Sequence, residues 1–339
     1  IGATIEGNGD FIIRGVSEWH IGGLDRIGFI ETEKNSRQLQ ESDLGAAVAP
    51  LTGAFPGPTV ILRVVDPKRA FSQVMRLFKP DPIELPGIHP TAVIEPDALV
   101  GKNVYIGPYA VIRAGAVIGD GCWIGAHSYI GPGSTLDANC RIHPHVVIFH
   151  RVSIGSDTTI FSGTVVGADG FGFYYRPGEG HIKFPQAGGV VIGKNVEIQA
   201  NSCIDSGSLQ PTVIGDGTKI DNLVQIAHND QIGRMNIICG QSGIAGSVTT
   251  GDGVVFGGHS GVQDHTTIGE GVVCAGWSIV RKNLSNAGTY AGDPARDLKQ
   301  WLRETAMSRK LPDVHDEIRK LRAEIKALEA RLSDDQKPN

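Results

Sequence analysis

The sequence lacks any apolar run that approaches the roughly 20 residues needed to span a bilayer. Its N-terminus has no basic segment followed by an apolar stretch, so we expect neither an export signal nor an integral membrane segment. The net charge of −5 is mild and argues against nonspecific binding of nucleic acid. These absences together predict a cytoplasmic protein that does not bind nucleic acid.

Cysteine and aromatic residues are also few. The five cysteines contain no CxxC pair, which favours buried free thiols over disulfides or a zinc site and indicates a reducing compartment. Aromatic residues make up only 6% of the chain, whereas its 46 glycines are about twice the average usage. A narrow repetitive fold with tight corners would account for both deviations.

Such a repeat is present, and it has a period of six. From Ile88 to Val166, every sixth residue is Ile, Val or Leu, fourteen times in succession. Neither a helix of period 3.6 nor an alternating strand gives this signal. Short identical units of this kind are typical of a left-handed parallel β-helix built from hexapeptide repeats. The fold is therefore predicted to be mainly β, with caps at both ends of the solenoid.

The segment before the repeat, residues 1–83, lacks the period. It contains strand-like runs at 11–15 and 59–65, followed by a predicted helix at 67–78. The run from Lys79 to Pro82 then breaks the chain, as a linker would. We predict a small N-terminal α/β domain that caps the solenoid.

The repeat occupies residues 87–283 and is interrupted after Val166 by a loop that extends to about residue 189. The period resumes at Ile192, slips by four residues after Ile204 and restarts at Ile214, with Thr250 the one residue out of character. Long loops inside compact domains are usually functional. The interruptions therefore mark the expected position of the active site.

The last segment, residues 292–333, is predicted to be a C-terminal helical extension. Apolar residues spaced three and four apart form a coiled-coil seam over three heptads, which favours association of helices in an oligomer. The seam consists of Leu311, Val314, Ile318, Leu321, Ile325, Leu328 and Leu332. Residues 281–331 contain 12 Lys/Arg against 8 Asp/Glu, so this segment is either a solvated helix face or a docking surface for an acidic partner.

Histidine supplies the best candidate for chemistry. Because the interior of a β-helix is aliphatic, reactive groups must lie outside, near loops or between subunits. His228 follows the core residue Ile226 by two and lies beyond the long loop. Asp221 and Asn222 precede it on the same stretch and could orient a neutral imidazole as a general base. An ordinary surface histidine is the alternative.

Several motifs around His228 resemble one family. They are 164–173 (TVVGADGFGF), 184–186 (FPQ), 220–229 (IDNLVQIAHN), 243–247 (GIAGS), His265 and 292–295 (GDPA). Together they resemble the UDP-3-O-(3-hydroxyacyl)glucosamine N-acyltransferases of lipid A biosynthesis, within the hexapeptide-repeat acyltransferases. The resemblance covers nearly the whole chain.

The resemblance implies a reaction and its partners. A 3-hydroxyacyl chain on the phosphopantetheine arm of acyl carrier protein would pass to the 2-amine of a UDP-linked, O-acylated glucosamine. No permanently bound cofactor or metal is implied, and the assembly would be a homotrimer in the cytoplasm of a Gram-negative bacterium.

The resemblance also implies roles for individual residues. His228 would be the general base, the Gly246 N–H would bind the oxyanion, and His265 would assist near the thioester. Substrate contacts would come from Phe29, Asp221, Asn222, Gln186 and Phe171. Trp277 and Ile279 would close the acyl groove and favour a modest chain length.

By the resemblance, the N-terminal α/β domain (1–83) would be nucleotide-binding-like. Two departures from the family pattern concern the nucleotide. The family usually has Ile-Asp-Arg-Gly after the loop, whereas Ser206 stands in the place of the arginine here. A serine cannot hold a phosphate as a guanidinium does. Phe29 is present, but Ile30 and Glu31 follow it in place of the family's Asn-Pro-x-Tyr-like stretch, so the second aromatic face for uracil is missing. Nucleotide recognition is therefore expected to differ.

Three other hypotheses remain. The chain could be a related acyltransferase with another amino-sugar acceptor or an acetyl-CoA donor, which the two departures favour. It could be a γ-class carbonic anhydrase, which would require His143, His145 and His150 to converge on zinc. It could also be a non-catalytic trimeric scaffold with His228 as a surface residue.

Overall fold

The computed structural model describes residues 1–32, 36–79, 85–292 and 298–335. It divides into two compact units, 1–85 and 86–339. The predicted linker at 80–82 and most of the GDPA motif (293–295) lie outside the described residues.

The N-terminal unit is a five-stranded sheet with two helices. In sheet order the strands are Thr4–Gly7, Val60–Val64, Ala46–Pro50, Arg26–Phe29 and Gly15–Val16. Only the pair Thr4–Gly7 and Val60–Val64 is antiparallel. The helices are Ser36–Gln40 and Pro67–Phe78.

The helix predicted at 67–78 is confirmed, and its start has a clear cause. Asp66 caps it by accepting a hydrogen bond from the Arg69 N–H (2.9 Å), and Pro67 occupies the first turn, where no N–H is needed. The strand expected at 11–15 is wrong except for Gly15. There the chain turns, with the Phe11 N–H bonded to the Asn8 carbonyl oxygen.

The second unit is a parallel β-helix, as the six-residue period predicts. Its strands form three sheets, which we call faces A, B and C, with 11, 10 and 9 strands. Face A comprises Gly87–Ile88, Tyr105–Ile106, Trp123–Ile124, Arg141–Ile142, Thr159–Ile160, Glu197–Ile198, Lys219–Ile220, Ile237–Ile238, Val255–Phe256, Val272–Cys274 and Gly288–Tyr290.

The other two faces follow the same pattern. Face B comprises Val93–Ile94, Val111–Ile112, Tyr129–Ile130, Val147–Ile148, Val165–Asp169, Cys203–Ser206, Gln225–Ile226, Gly243–Ile244, Gly261–Val262 and Ile279–Val280. Face C comprises Leu99–Val100, Val117–Ile118, Thr135–Leu136, Val152–Ile154, Val190–Ile192, Thr212–Ile214, Gln231–Ile232, Thr249–Thr250 and Thr267–Ile268.

The sixth residues form the core, and each pairs with its equivalent one coil along. Ile226 lies in register with Ile204 on one side and Ile244 on the other, and all three are at most 1% exposed. The next side chain back along the strand faces outward, because neighbouring residues of a strand point to opposite sides. Burial of this aliphatic column is the main stabilising contribution to the solenoid.

The interruption after Val166 is an inserted hairpin. A β-bulge shifts the register between Val166 and Ala168, and Phe173–Arg176 then pairs antiparallel with Gly180–Lys183. Bulges often redirect a strand beside an active site. The slip after Ile204 is a short loop whose Gly207 bonds back to Gly189.

The C-terminal helix is Leu298–Asp335. The seam residues with described side chains are between 40% and 62% exposed: Leu311, Val314, Ile318, Leu321, Ile325 and Leu328. Among the described ranges, no helix combines the length and the apolar character that crossing a membrane requires.

Candidate active site

His228 lies at the corner between faces B and C, which we call corner BC. Two glycines enclose its ring. A Cβ atom built on Gly246, one coil further on, would lie 2.7 Å from the His228 Cε1 atom, and one built on Gly170 would lie 2.5 Å from the His228 Cβ atom. Since real Cβ contacts are not this short, only glycine fits on either side. The loop after Val166 and the next coil therefore both pack closely against His228.

Asn229 makes the hydrogen bond to the histidine ring. Its Nδ2 atom lies 3.0 Å from the His228 Nδ1 atom, and its Oδ1 atom accepts from the Ser208 N–H (2.7 Å) and hydroxyl (3.0 Å). Asn229 has φ +64°, a left-handed conformation that asparagine tolerates better than most residues. The loop at the slip after Ile204 is thus tied to the ring of His228.

Asp205 is an acidic residue that interacts electrostatically with His228. Burial raises the pKa of its carboxyl group, while hydrogen bonds from Gln225 and Cys203 and the charge of His228 oppose that rise. Asp205 lines a cavity of about 460 Å³ together with Gly170, Phe171 and Lys183. The cavity combines a carboxyl group, an ammonium group and an aromatic ring, and its wall includes Ala227, the residue before His228.

The inserted hairpin supplies the far wall of this cavity. Phe171 is 85% exposed and its ring centroid lies 5.1 Å from that of Phe173. Lys183 forms an ion pair with Asp169 across the base of the hairpin. Gln186 is buried and donates from Nε2 to the Phe184 carbonyl oxygen (3.0 Å), while its Oε1 atom has no hydrogen-bond partner among the described residues.

Gly246 and His265 follow His228 on corner BC. The Ser247 N–H donates to the His228 carbonyl oxygen (3.0 Å), and the His265 N–H donates to the Gly246 carbonyl oxygen (3.1 Å). In the part of the chain that the structure describes, no hydrogen bond uses the Gly246 N–H. A free backbone donor therefore lies beside the imidazole. His265 is exposed and lies one coil beyond Gly246.

Asp221 and Asn222 lie at a different corner of the same coil, between faces A and B. Asp221 accepts from the Gly240 N–H (2.8 Å) through Oδ2 and from the Asn222 N–H (2.7 Å) through Oδ1. Asn222 accepts from the Ala200 N–H (3.1 Å). The residue that hydrogen-bonds the His228 ring is thus Asn229, and not Asp221 or Asn222. Those two residues order their own corner and line a separate shallow cavity of about 410 Å³.

An uncovered strip of backbone runs along the outside of face B from the coil of His228. In the outward row, Gln225 is in register with Gly243, then Gly261, then Ile279. A Cβ atom on either glycine would meet nothing within 4 Å. Ile279, 66% exposed, stands at the end of this row, and we call the strip the glycine groove.

Trp277 borders the same end of the groove. It lies at the corner before Ile279, and its ring stacks on His259 with centroids 4.3 Å apart and planes 7° apart. The two residues predicted to close an acyl groove are therefore neighbours at the end of a trough that begins beside His228.

Phe29 belongs to the other unit and lines a cavity of about 680 Å³ with Trp19, Phe71 and Met75. Its ring stacks on Phe71 with centroids 4.7 Å apart. Glu18 and Glu31 also line this cavity, so it is apolar with an acidic rim. Trp19 supplies a second aromatic side chain that the sequence pattern after Phe29 did not indicate.

Ser206, which stands in the place of the family's arginine, is 4% exposed, and its hydroxyl accepts from the Gly189 N–H (3.0 Å). It thus joins the two ends of the interruption. The histidines considered for zinc lie at two corners of one coil. His143 and His145 are between faces A and B, where they stack on Phe161 and His127, and His150 is at corner BC. Among the described side chains, no three His, Cys, Asp or Glu residues come together in a group that could hold a metal ion.

Sequence reasoning missed Ser208, Asn229, Asp205 and Gly170 as members of the site. Asn229 follows His228 directly, and its adjacency was the only available signal. The others come from two interruptions whose paths a repeat pattern cannot give.

Sequence comparisons agree with this architecture. Residues 115–150 match the family described as bacterial transferase hexapeptide (six repeats), and residues 91–131 match the hexapeptide repeat of succinyl-transferase. The solved structure of the Arabidopsis UDP-N-acetylglucosamine acyltransferase superposes with a TM-score of 0.55 at 29% identity, over 65% of this chain and 77% of that chain.

Relatives matched over most of the chain are more specific. The UDP-3-O-acylglucosamine N-acyltransferase of Anaeromyxobacter dehalogenans is 38% identical over 99% of this chain and 96% of its own length. The enzyme of the same name from Coxiella burnetii is 40% identical over 73% of this chain and 72% of its own length.

Proposed function

The chain belongs to the UDP-3-O-acylglucosamine N-acyltransferase family of lipid A biosynthesis, and from that membership we propose which groups it uses. The donor is a 3-hydroxyacyl thioester on the phosphopantetheine arm of acyl carrier protein. The acceptor is the 2-amine of a UDP-linked, 3-O-acylated glucosamine. Because a thioester is already activated, the reaction requires no metal or permanently bound cofactor.

The observation that carries the proposal is the enclosure of His228. An imidazole held between two glycines, with an unpaired backbone N–H on one side and a polar cavity on the other, suits acyl transfer. When base, oxyanion donor and substrate are already oriented in the complex, less entropy is lost on reaching the transition state, and the barrier is lower.

The reaction balances without further reagents. The amine nitrogen attacks the thioester carbonyl carbon, and a C–N bond forms while His228 takes the proton from nitrogen. Collapse of the tetrahedral intermediate breaks the C–S bond, and the proton passes from His228 to the leaving thiolate. The products are an amide and the free phosphopantetheine thiol.

The Gly246 N–H is the proposed oxyanion donor. It lacks a hydrogen-bond partner in the described structure and lies beside the imidazole. A preorganised donor of this kind commonly lowers a barrier by about 3 kcal/mol. His265, exposed one coil further on, is assigned to the thioester or the adjoining phosphopantetheine arm.

The cavity beside His228 is the proposed site of the acceptor sugar. Asp205 and Lys183 offer polar contacts there, and Phe171 an apolar one. Gln186 supports that wall from within the loop. Asp221 and Asn222 remain proposed substrate ligands at their own corner, where they line a second cavity.

The glycine groove is the proposed site of the transferred acyl chain. Two glycines in register leave a backbone floor about two strand spacings long, roughly 10 Å, before Ile279 blocks it. The apolar chain would lie along this floor with Trp277 at its closed end. The distance from His228 to this closed end would set the longest acyl chain that the groove accepts.

The cavity around Phe29 is the proposed site of the uracil base. Trp19 provides the aromatic partner that the altered stretch after Phe29 does not. Because Ser206 is buried and bonded to Gly189, the phosphates must be held by residues other than that position.

The C-terminal helix supports a proposed homotrimer. Its six described seam residues are exposed in the single chain, and packing the seams of several helices together would bury them. The excess of basic residues in this segment suits acyl carrier protein, an acidic partner. This partner would place the reaction in the cytoplasm of a Gram-negative bacterium.

The decisive experiment is acyl transfer by the wild type and His228→Ala. The control is His150→Ala, because His150 occupies the same position on corner BC of an earlier coil, two residues after the core residue Ile148. We expect His228→Ala to lose about 10² to 10⁴ in kcat and His150→Ala to keep its activity. Unchanged turnover in His228→Ala would overturn the role of this residue.

A donor and acceptor screen tests the substrates. Carrier-linked 3-hydroxyacyl chains of several lengths and acetyl-CoA are each combined with UDP-linked amino sugars. Turnover with acetyl-CoA alone would contradict the proposed donor and favour the related acyltransferase that the buried Ser206 leaves open.

A further inference from the structure

The hydrogen bonds around Asn229 determine which way its amide faces. The Ser208 backbone N–H can only donate, and it lies 2.7 Å from the Asn229 Oδ1 atom. The reverse orientation would direct an NH₂ group at that N–H, so the network fixes oxygen towards Ser208. The amide nitrogen therefore faces His228.

This orientation has a consequence for the imidazole. The Asn229 Nδ2 atom is a donor and lies 3.0 Å from the His228 Nδ1 atom, so Nδ1 must accept. A neutral imidazole carries one proton, which then resides on Nε2. In this state the outer nitrogen donates a hydrogen bond and has no lone pair with which to take a proton.

We propose that Asn229, held by Ser208, sets the tautomer of His228, and that the amide must turn over before His228 can act as a base through Nε2. After the turn, the Asn229 oxygen accepts the Nδ1–H and the bond to the Ser208 N–H is given up. The proposal rests on the proposed role of His228 and makes Asn229 a positioning residue. It also explains why the loop at the slip after Ile204 reaches this corner.

Other titratable groups around His228 bear on its protonation. Asp205 approaches from the preceding coil, and Asp230 lies buried two residues further along the chain. Asp169 and Lys183, an ion pair, line the same cavity as Asp205 and Ala227. His265 lies two coils further along, one coil beyond Gly246. A change at Asn229 leaves all of these groups in place.

Asn229→Asp is the sharpest variant. Aspartate tolerates the left-handed conformation, and its two oxygens can accept from the Ser208 N–H and the His228 Nδ1–H at once. No turn is then needed, and Nε2 is free to accept a proton. Asn103→Asp is the matched control, because Asn103 (φ +56°) occupies a left-handed corner of an early coil.

The test combines ¹⁵N NMR of histidine-labelled full-length enzyme with pH–rate profiles. The His228 signals are identified by their loss in His228→Ala. We expect the wild type and Asn103→Asp to show a protonated Nε2 and an accepting Nδ1, and Asn229→Asp to show the reverse. The acid limb of the Asn229→Asp pH–rate profile should move up by about one pH unit, because a carboxylate stabilises the imidazolium.

Three outcomes overturn the proposal. They are a protonated Nδ1 in the wild type, an unchanged tautomer in Asn229→Asp, and an inactive Asn229→Asp enzyme with Nδ1 protonated, which would make His228 a hydrogen-bond donor. The NMR result does not depend on turnover. If His228→Ala kept full activity, the proposed function would fail while the tautomer assignment could still be read.

Discussion

The imidazole of His228 lies against the α-carbon of Gly246, so closely that a methyl group there would come within 2.7 Å of the His228 Cε1 atom. The two residues are one coil apart and equivalent in the repeat, two positions after the core residues Ile226 and Ile244. This stacking brings a candidate base and a free backbone donor together without any loop between them. The regularity of the solenoid thus contributes directly to the site.

Gly246→Ala should therefore reduce activity without unfolding the protein. The added methyl group displaces the ring, and a displacement of about 1 Å in a reacting group can cost about 100-fold in rate. The measurement is kcat for acyl transfer beside the thermal unfolding midpoint. Gly258→Ala is the control, because Gly258 holds the same position after Phe256 and a Cβ there meets its nearest atom at 3.4 Å. Equal activities for the two variants would contradict the close fit.

Gly261→Leu should shorten the acyl chain that the enzyme accepts. The new side chain would occupy the glycine groove one coil before Ile279, where a Cβ meets open space, so the fold should tolerate it. We expect kcat/KM for the longest accepted donor to fall about tenfold or more, with shorter donors less affected. Ile279→Ala should shift the preference towards longer chains. A uniform loss across all lengths would place the acyl chain elsewhere.

Trp19→Ala should weaken binding of the UDP-linked acceptor. Loss of one aromatic face costs about 1–3 kcal/mol in base stacking, which corresponds to about 5- to 150-fold in KM. Steady-state kinetics with the acceptor varied would measure it, and the KM for the acyl donor serves as the internal control. An unchanged acceptor KM would remove the Phe29 cavity from the nucleotide site.

Asp230→Asn should change how stability depends on pH. Burial raises the pKa of Asp230 to about 9, so between pH ~4 and ~9 the folded chain keeps a proton that the unfolded chain releases. The wild-type free energy of unfolding therefore falls as pH rises through this window, by at most about 1.4 kcal/mol per pH unit from this group. The amide does not titrate and so removes that slope, and the variant should gain relative stability from pH 5 to pH 8.

Denaturant unfolding at several pH values would show the gain. An asparagine is already accommodated at the equivalent position of the next face, where the buried Asn236 accepts from the Val254 N–H (2.6 Å), as Asp230 does from the Val248 N–H (2.8 Å). The control is Asp252→Asn, since hydrogen bonds from Arg234 lower the pKa of exposed Asp252 and its contribution is lost only as pH falls. A parallel pH dependence of wild type and Asp230→Asn would refute the assignment.

Ile318→Glu should weaken the oligomer. A carboxylate in the middle of the helical seam would be buried without a partner, and we expect the subunit concentration at half-assembly to rise about tenfold or more. Sedimentation over a dilution series would measure it. Ala323→Glu is matched, since residue 323 lies on the outer face of the same helix two residues after the seam residue Leu321. If neither variant altered assembly, the seam would not belong to the subunit interface.

Periodicity was sufficient for the fold because each core residue obeys the same local rule. An aliphatic side chain at every sixth residue points into the interior in each coil. The helix at 67–78 was equally predictable, since Asp66 and Pro67 fix its start locally. The strand expected at 11–15 failed because apolar residues alone do not supply a pairing partner.

The site was only partly predictable for the opposite reason. Asp221 and Asn222 precede His228 by seven and six residues, yet they lie at the corner before the strand Gln225–Ile226, whereas His228 lies at the corner after it. Their side-chain oxygens accept from backbone N–H groups near their own corner. Asn229 and Ser208 are 21 residues apart and meet because the slip after Ile204 bends towards corner BC. Sequence spacing carries no information about such a bend.

The sequence by itself determined the solenoid, the place of its interruptions, the helical seam and the histidine most suited to chemistry. Each follows from a local pattern or from a motif that can be read in order. The tertiary structure alone decided what surrounds that histidine: two glycines, an amide turned by Ser208, and a backbone groove leading to Ile279. The physical reason is that stacking brings together residues one coil apart, while the irregular loops that complete the site follow no repeat.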